Sequence, residues 1–345
     1  MKVMKSVLAS AIGMLLVGAS AYAQNTQLIV YTALESDQLK AYQEAFKKAH
    51  PDIDLKWVRD STGVITAKLL AEKSNPQADV IWGVAASSLA LFARNDMLQP
   101  YAPAHLDAIS VQYKDTQMPP QWWGMNVYGA TVCFNTVEAK KRGIATPTSW
   151  HDFTKPEFKG QVVMPNPASS GTGYFDVTAW LSLWGDDNGQ GEGWKYMDAL
   201  HENIAQYTHS GSKPCNMAAA GEYVAGISFE YRAHSTKAKG APIELVFPKE
   251  GLGWDLEGFA IYKGTPKQEA AQKLADWASS PEAMELYGKN FAITAIPGMA
   301  PKLANIPEDY ESRLVKADFD QAAKDRDRVL AEWSKRYDTK SEPKK

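Results

Sequence analysis

The sequence predicts an α/β protein of two lobes, each a mostly parallel sheet flanked by helices, joined by hinge strands. Three observations carry this expectation. Short strands and amphipathic helices alternate from residue 27 to residue 95, and a β-α-β-α-β order builds a parallel sheet with helices on its faces. A strand-like stretch at residues 121–135, QWWGMNVYGATVCFN, is long enough to cross between lobes. From Phe259 the strand-and-helix pattern returns. The 345 residues suit two lobes of ordinary domain size.

In chain order, QLIVYT at 27–32 is a compact strand. Residues 37–50 follow as a helix, with Leu39, Tyr42, Phe46 and Ala49 on one face, and His50-Pro51 ends it. Ile53, Leu55 and Trp57 alternate with Asp54 and Lys56, the pattern of a second strand. A helix at 64–73, the strand ADVIW at 78–82 and a helix at 87–95 complete the first alternation. Further strands are expected at 160–164, 224–229 and 244–247. Trp180, Leu183, Trp184, Trp194, Met197 and Leu200 mark buried helices around a Gly-rich loop at 185–193. A helix is expected at 266–279. Ser280-Pro281 then reads as an N-cap and a first-turn proline, and a long charged helix spans 318–337. The lobes are expected as 24–124 with 249–300, and 125–248 with 301–345 including the C-terminal helix.

The first residues carry a separate signal. Lys2 and Lys5 precede an apolar run from Val7 to Ala19, and Ala21-Tyr22-Ala23 supplies small residues for cleavage. This reads as a signal peptide over residues 1–23. The run is shorter than the roughly 20 apolar residues a transmembrane helix needs. Loss of Lys2 and Lys5 would leave 35 basic and 40 acidic residues, a net charge of −5. That balance argues against nucleic acid or an anionic membrane as partner. Cys133 and Cys215 either pair in an oxidising compartment or stay as buried thiols; their spacing does not decide. No Cys/His cluster has metal-ligand spacing, and neither G-x-S-x-G nor H-E-x-x-H is present.

Three loops each follow a strand and open a helix, where free N–H groups and the helix dipole favour anions. The first runs from Tyr31 through Thr32 and Glu35 to Asp37. Thr32 offers a hydroxyl, and capping the helix is the ordinary role of Asp37. The second is Asp60-Ser61-Thr62-Gly63, two hydroxyls and a glycine that permits close backbone approach. The third runs from Pro165 to Gly173, where Ser169, Ser170, Gly171 and Thr172 concentrate donors fit for an oxyanion. It lacks a P-loop lysine. As plain N-caps or turns, the second and third loops would need no ligand. Groups suited to a cation surround them: Trp82, Glu230, Tyr231, Trp254, Asp255 and Glu257. The ordinary place for Trp82 and Trp254 is the core. Taken together, these groups suggest a zwitterion.

The segments QLIVYTA, DSTG, ADVIWG, WGMNVYGATVCFN, PNPASSGTGY and FEYR, in this order, resemble type II periplasmic solute-binding proteins of ABC transporters. The similarity is to the ferric-ion-binding-like branch, and within it to 2-aminoethylphosphonate-binding proteins. The resemblance covers nearly the whole chain after the signal. It implies a monomeric, non-enzymatic, cofactor-free periplasmic receptor that closes on its ligand and docks on an inner-membrane permease. It implies that Thr32, Ser61, Thr62 and Ser169 to Thr172 hold the phosphonate. Glu230, Asp255 or Glu257, with Glu35 behind them, would meet the ammonium, and Trp82 or Trp254 would wall the cleft. Ferric-binding relatives carry two adjacent tyrosines where this chain reads Glu230-Tyr231, which weighs against iron. A ferric-ion receptor, a polyamine receptor and a periplasmic phosphoester or phosphonate hydrolase are the competing readings.

Overall fold

A computed structural model describes residues 25–343. The signal segment expected at 1–23 lies outside the described residues. Ten strands and eleven α-helices are assigned among those described. The first alternation comprises β1 (Thr26–Thr32), α1 (Ser36–Ala49), β2 (Ile53–Arg59), α2 (Thr62–Ala71), β3 (Val80–Ala85) and α3 (Ala86–Arg94). The short β4 (Leu98–Gln99) leads to the long β5 (Trp123–Asn135) and α4 (Thr136–Arg142). Next come β6 (Val162–Pro165), α5 (Gly171–Trp184), α6 (Glu192–Asn203), β7 (Ile204–Thr208), α7 (Lys213–Ala219), β8 (Ala225–Phe229), α8 (Glu230–Ala238) and β9 (Ile243–Val246). The chain ends with β10 (Trp254–Tyr262), α9 (Gln268–Ala278), α10 (Pro281–Gly288) and α11 (Phe319–Tyr337).

Every strand and helix expected from periodicity is present, with ends shifted by a few residues. Five elements had no sequence signal: β4, α4, α7, α8 and β7. Each is short, and β7 (IAQYT) alternates too weakly to stand out. β10 begins at Trp254, ahead of the return expected at Phe259. The cap of α1 also differs. Glu35, not Asp37, holds the N-cap position, and its N–H donates to Gln38 Oε1 at 2.9 Å.

The strands run in the order β2-β1-β3-β10-β5-β8-β6-β7, with β4 beside β10 and β9 beside β5. β1 pairs in parallel with β2 and β3, and β6 with β7 and β8. The antiparallel pairs are those of β5 and β10. The chain crosses between two cores along β5. Met125 and Val127 pack into the first hydrophobic cluster, while Tyr128, Ala130, Val132 and Phe134 pack into the second. Two further crossings lie between Leu252 and Leu256 and between Phe291 and Ala295. All thirteen residues of β5 are buried, as a strand covered on both faces requires.

Cys133 on β5 and Cys215 on α7 form a disulfide in a small third cluster, both fully buried. This decides the alternative that sequence spacing left open. No helix among the described residues is long and apolar enough to cross a membrane.

Candidate functional site

The tips of β1, β2 and β3 open on the same side of the first sheet, because parallel strands direct their carboxyl ends one way. β2 delivers Arg59 and the loop 60–61, and Ser61 is the N-cap of α2. From the second core, β6 delivers residues 166–169, and Ser170 is the N-cap of α5. The two helix starts meet. The Gly63 N–H donates to the Ser169 carbonyl at 2.9 Å. A Cβ on Gly63 would lie 2.1 Å from the Ala168 oxygen, and one on Gly171 would lie 3.0 Å from Thr62 Oγ1. Both glycines are therefore required for this approach.

Between the helix starts lies a cavity of about 40 Å³. Ser61, Thr62, Ser170, Gly171 and Thr172 line it, together with Arg59, Glu35, Tyr128 and Glu257. Several donors there are unspent. Ser61 caps α2 with its backbone only, so its hydroxyl is free of the helix. The amides of Gly171 and Thr172 precede any intrahelical partner. Tyr128 buries its hydroxyl without a hydrogen bond. Arg59 donates Nε–H to the Leu34 carbonyl at 3.0 Å and reaches Glu35 at only 3.7 Å. Two helix dipoles, each worth roughly 0.3–1 kcal/mol to an anion and more when buried, point into one small space.

The rim joins the two cores. Arg232 of α8 donates to Glu35 Oε2 at 2.9 Å and lies 3.5 Å from Asp37. Glu35 thus has a cationic partner on each side.

Beneath the cavity sit buried acids. Glu257 lines it, and its Oε2 has no hydrogen-bond partner. Burial holds this carboxyl well above the usual range; the Asn126 amide opposes the shift, and Glu230 and Glu35 reinforce it. Glu230 is fully buried and accepts the Gly129 N–H at 2.8 Å. Burial pushes it to about 8, against the pull of that N–H and its own. Asp255 accepts N–H groups from Leu256 at 2.7 Å and Ser87 at 3.3 Å, and burial pushes it to about 6.

The structure brings together Glu35, Ser61, Thr62, Ser170, Gly171, Thr172 and Glu257 of the expected residues. Others do not line the cavity. Thr32 is fully buried and its Oγ1 accepts the Leu34 N–H at 3.1 Å, so it shapes the loop instead. Gly63 and Ser169 form the backbone contact beside the cavity, and the Ser169 hydroxyl donates to the His209 carbonyl at 2.9 Å. Trp82 is fully buried in the first core, against Tyr42, Trp57, Phe259 and Trp277. Glu230 lies behind the cavity wall. Tyr231 packs on Phe291 and under Arg232. Trp254 donates to the Val315 carbonyl at 2.6 Å. With Asp255 it lines a different cavity, of about 270 Å³, between α5, α11 and the start of α3.

Arg59 and Tyr128 escaped sequence reading. A cation just before the DSTG loop was the available sign for Arg59. Asn126 and Tyr128, two polar groups at alternate positions of an apolar strand, were the sign for Tyr128.

Residues 41–313 match the family of bacterial extracellular solute-binding proteins. An uncharacterized protein of Haemophilus influenzae is 34% identical over 278 residues, 80% of this chain and 79% of its own. A probable ABC transporter periplasmic-binding protein of Sinorhizobium fredii is 26% identical over 316 residues, 90% of this chain and 85% of its own. The structure of the periplasmic binding protein AfuA from Actinobacillus pleuropneumoniae, with fructose-6-phosphate bound, superposes with a TM-score of 0.83. It is 29% identical, over 91% of this chain and 99% of that one.

Proposed function

The chain belongs to the bacterial extracellular solute-binding proteins and has their two-lobed type II fold, and from that premise we propose that it captures 2-aminoethylphosphonate or a related aminoalkyl phosphonate. It serves as the periplasmic receptor of an ABC importer, delivering its ligand to an inner-membrane permease. The relative named as an ABC transporter periplasmic-binding protein supports the transport role and the compartment. The reading is of a binding protein, without catalysis. The lobes are taken as 24–124 with 249–300 and 125–248 with 301–345.

One observation carries the ligand class: two helix starts from opposite cores face each other across a cavity that also contains a carboxyl group. The helix starts and the hydroxyls of Ser61, Thr62, Ser170 and Thr172 suit a doubly charged oxyanion. The carboxyl suits an amine. A purely cationic polyamine would leave the helix starts unmatched. Iron would need phenolates; Tyr231 does not line the cavity, and burial holds Tyr128, the phenol that does, in its neutral form.

A sugar phosphate is the second reading, favoured by the ligand bound to AfuA. Glu257 weighs against it, because its unpartnered Oε2 at the cavity suits an ammonium that a sugar phosphate lacks.

Calorimetry with 2-aminoethylphosphonate and fructose 6-phosphate tests the two readings. Saturable heat with the first at micromolar protein is expected. Silence at millimolar 2-aminoethylphosphonate rejects the proposal.

A further inference from the structure

Six buried polar atoms without partners cluster where β5 and β10 cross between the cores. They are Nδ2 and Oδ1 of Asn126, the hydroxyls of Tyr128 and Tyr310, Oε1 of Glu230 and Oε2 of Glu257. Asn126 and Glu257 are paired in the strand register, directly opposite each other. The Asn126 amide lies close enough to Glu257 to favour its anion, though no hydrogen bond closes between them. An unpartnered buried polar group costs roughly 1–3 kcal/mol. Six such atoms at one crossing mark where the polar group of a ligand can be received.

The occupant must reach the anion cavity, and only two of these side chains do so, Tyr128 and Glu257. The other acids are committed. Glu35 is held by Arg232 and Arg59. Glu230 accepts from Gly129 and lies behind the wall. Asp255 accepts from Leu256 and Ser87 and faces the larger cavity.

We propose that Glu257, backed by Asn126 and Tyr128, is the ammonium subsite that makes this receptor select aminoalkyl phosphonates over simple alkyl phosphonates. The inference rests on the reading of the cavity as a phosphonate site. The ammonium donates to Glu257 Oε2, the Asn126 amide opposite supports that carboxylate from behind, and the Tyr128 hydroxyl faces the phosphonate end. Glu230 keeps the region acidic without touching the ligand.

The test compares 2-aminoethylphosphonate with ethylphosphonate, which share a head group and differ by the amine. A charge-assisted hydrogen bond implies a wild-type preference of about 10- to 100-fold for the amine. Glu257→Gln should reduce that preference to within about threefold, with an unchanged circular dichroism spectrum and a cooperative thermal transition showing that the variant is folded. Equal wild-type affinities would overturn the subsite while leaving a phosphonate receptor. A preference that survives Glu257→Gln but collapses in Glu230→Gln would also overturn it. Failure of both ligands to bind would instead reject the phosphonate reading beneath it.

Discussion

The Gly63 N–H donates to the Ser169 carbonyl at 2.9 Å, across the gap between the two cores. This single hydrogen bond joins the first turn of α2 to the loop that opens α5. It brings the two helix starts together beside the cavity.

Gly63→Ala should therefore uncouple closure from folding. Its Cβ would lie 2.1 Å from the Ala168 oxygen, a contact that backbone on both sides cannot relieve. Gly63 is the second residue of α2, outside the helix interior where glycine is costly, so alanine there leaves the helix itself intact. Thermal stability without ligand should hold while phosphonate affinity falls at least tenfold. Unchanged affinity by calorimetry would show that the helix starts do not need to meet.

Binding of the amine should release a proton. Without ligand, burial holds the Glu257 carboxyl well above its usual range. The groups around it are Glu35, Arg59, Glu230, Tyr128, Tyr42 and Tyr287. An ammonium favours the carboxylate, so Glu257 ionises on binding and affinity rises with pH up to its free-state value. Calorimetric heats for 2-aminoethylphosphonate should differ between PIPES and Tris. Each ligand's own phosphonate ionisation, which the amine shifts, is measured separately and subtracted. Equal proton counts for the two ligands would refute this.

Asp176 of α5 should make the fold less stable as pH rises. It is fully buried, neither carboxyl oxygen has a hydrogen bond, and burial alone raises its pKa well above the usual value. A carboxyl whose folded-state pKa is raised costs nothing below the unfolded value near 3.9. It destabilises progressively from there up to the folded value. Asp176→Asn should gain at least about 1 kcal/mol at pH 7 and almost nothing at pH 3.5. Urea midpoints at the two pH values decide it, and a pH-independent effect would count against it.

The Cys133–Cys215 disulfide closes a loop with a sequence separation of 82 residues. The chain-entropy argument gives it roughly 4–5 kcal/mol, and measured losses usually run about 2–5 kcal/mol. The paired Cys133→Ser, Cys215→Ser variant should unfold at clearly lower denaturant. Because both sulfurs are fully buried, dithiothreitol should leave the native protein oxidised until it unfolds. Rapid reduction of the folded protein, followed by thiol labelling, would contradict this.

The sequence by itself determined the fold class, nearly all the strands and helices, and the anion half of the site. These are local properties. Alternation at period two and spacing near 3.6 define β1 to α3, and Ser, Thr and Gly at a strand-to-helix turn signal Ser61-Thr62 and Ser170 to Thr172 without reference to distant residues. Tertiary structure alone decided the rest. Glu257 faces the cavity because β10 pairs with β5 in one register, Glu257 against Asn126, whereas Asp255, two residues earlier, meets the start of α3. Trp82 joined the core, Glu35 was taken by Arg232, and Cys133 met Cys215, each through a partner far away in the chain. Local spacing states what a side chain offers, but which neighbour uses it depends on how the strands pair and how the two cores close.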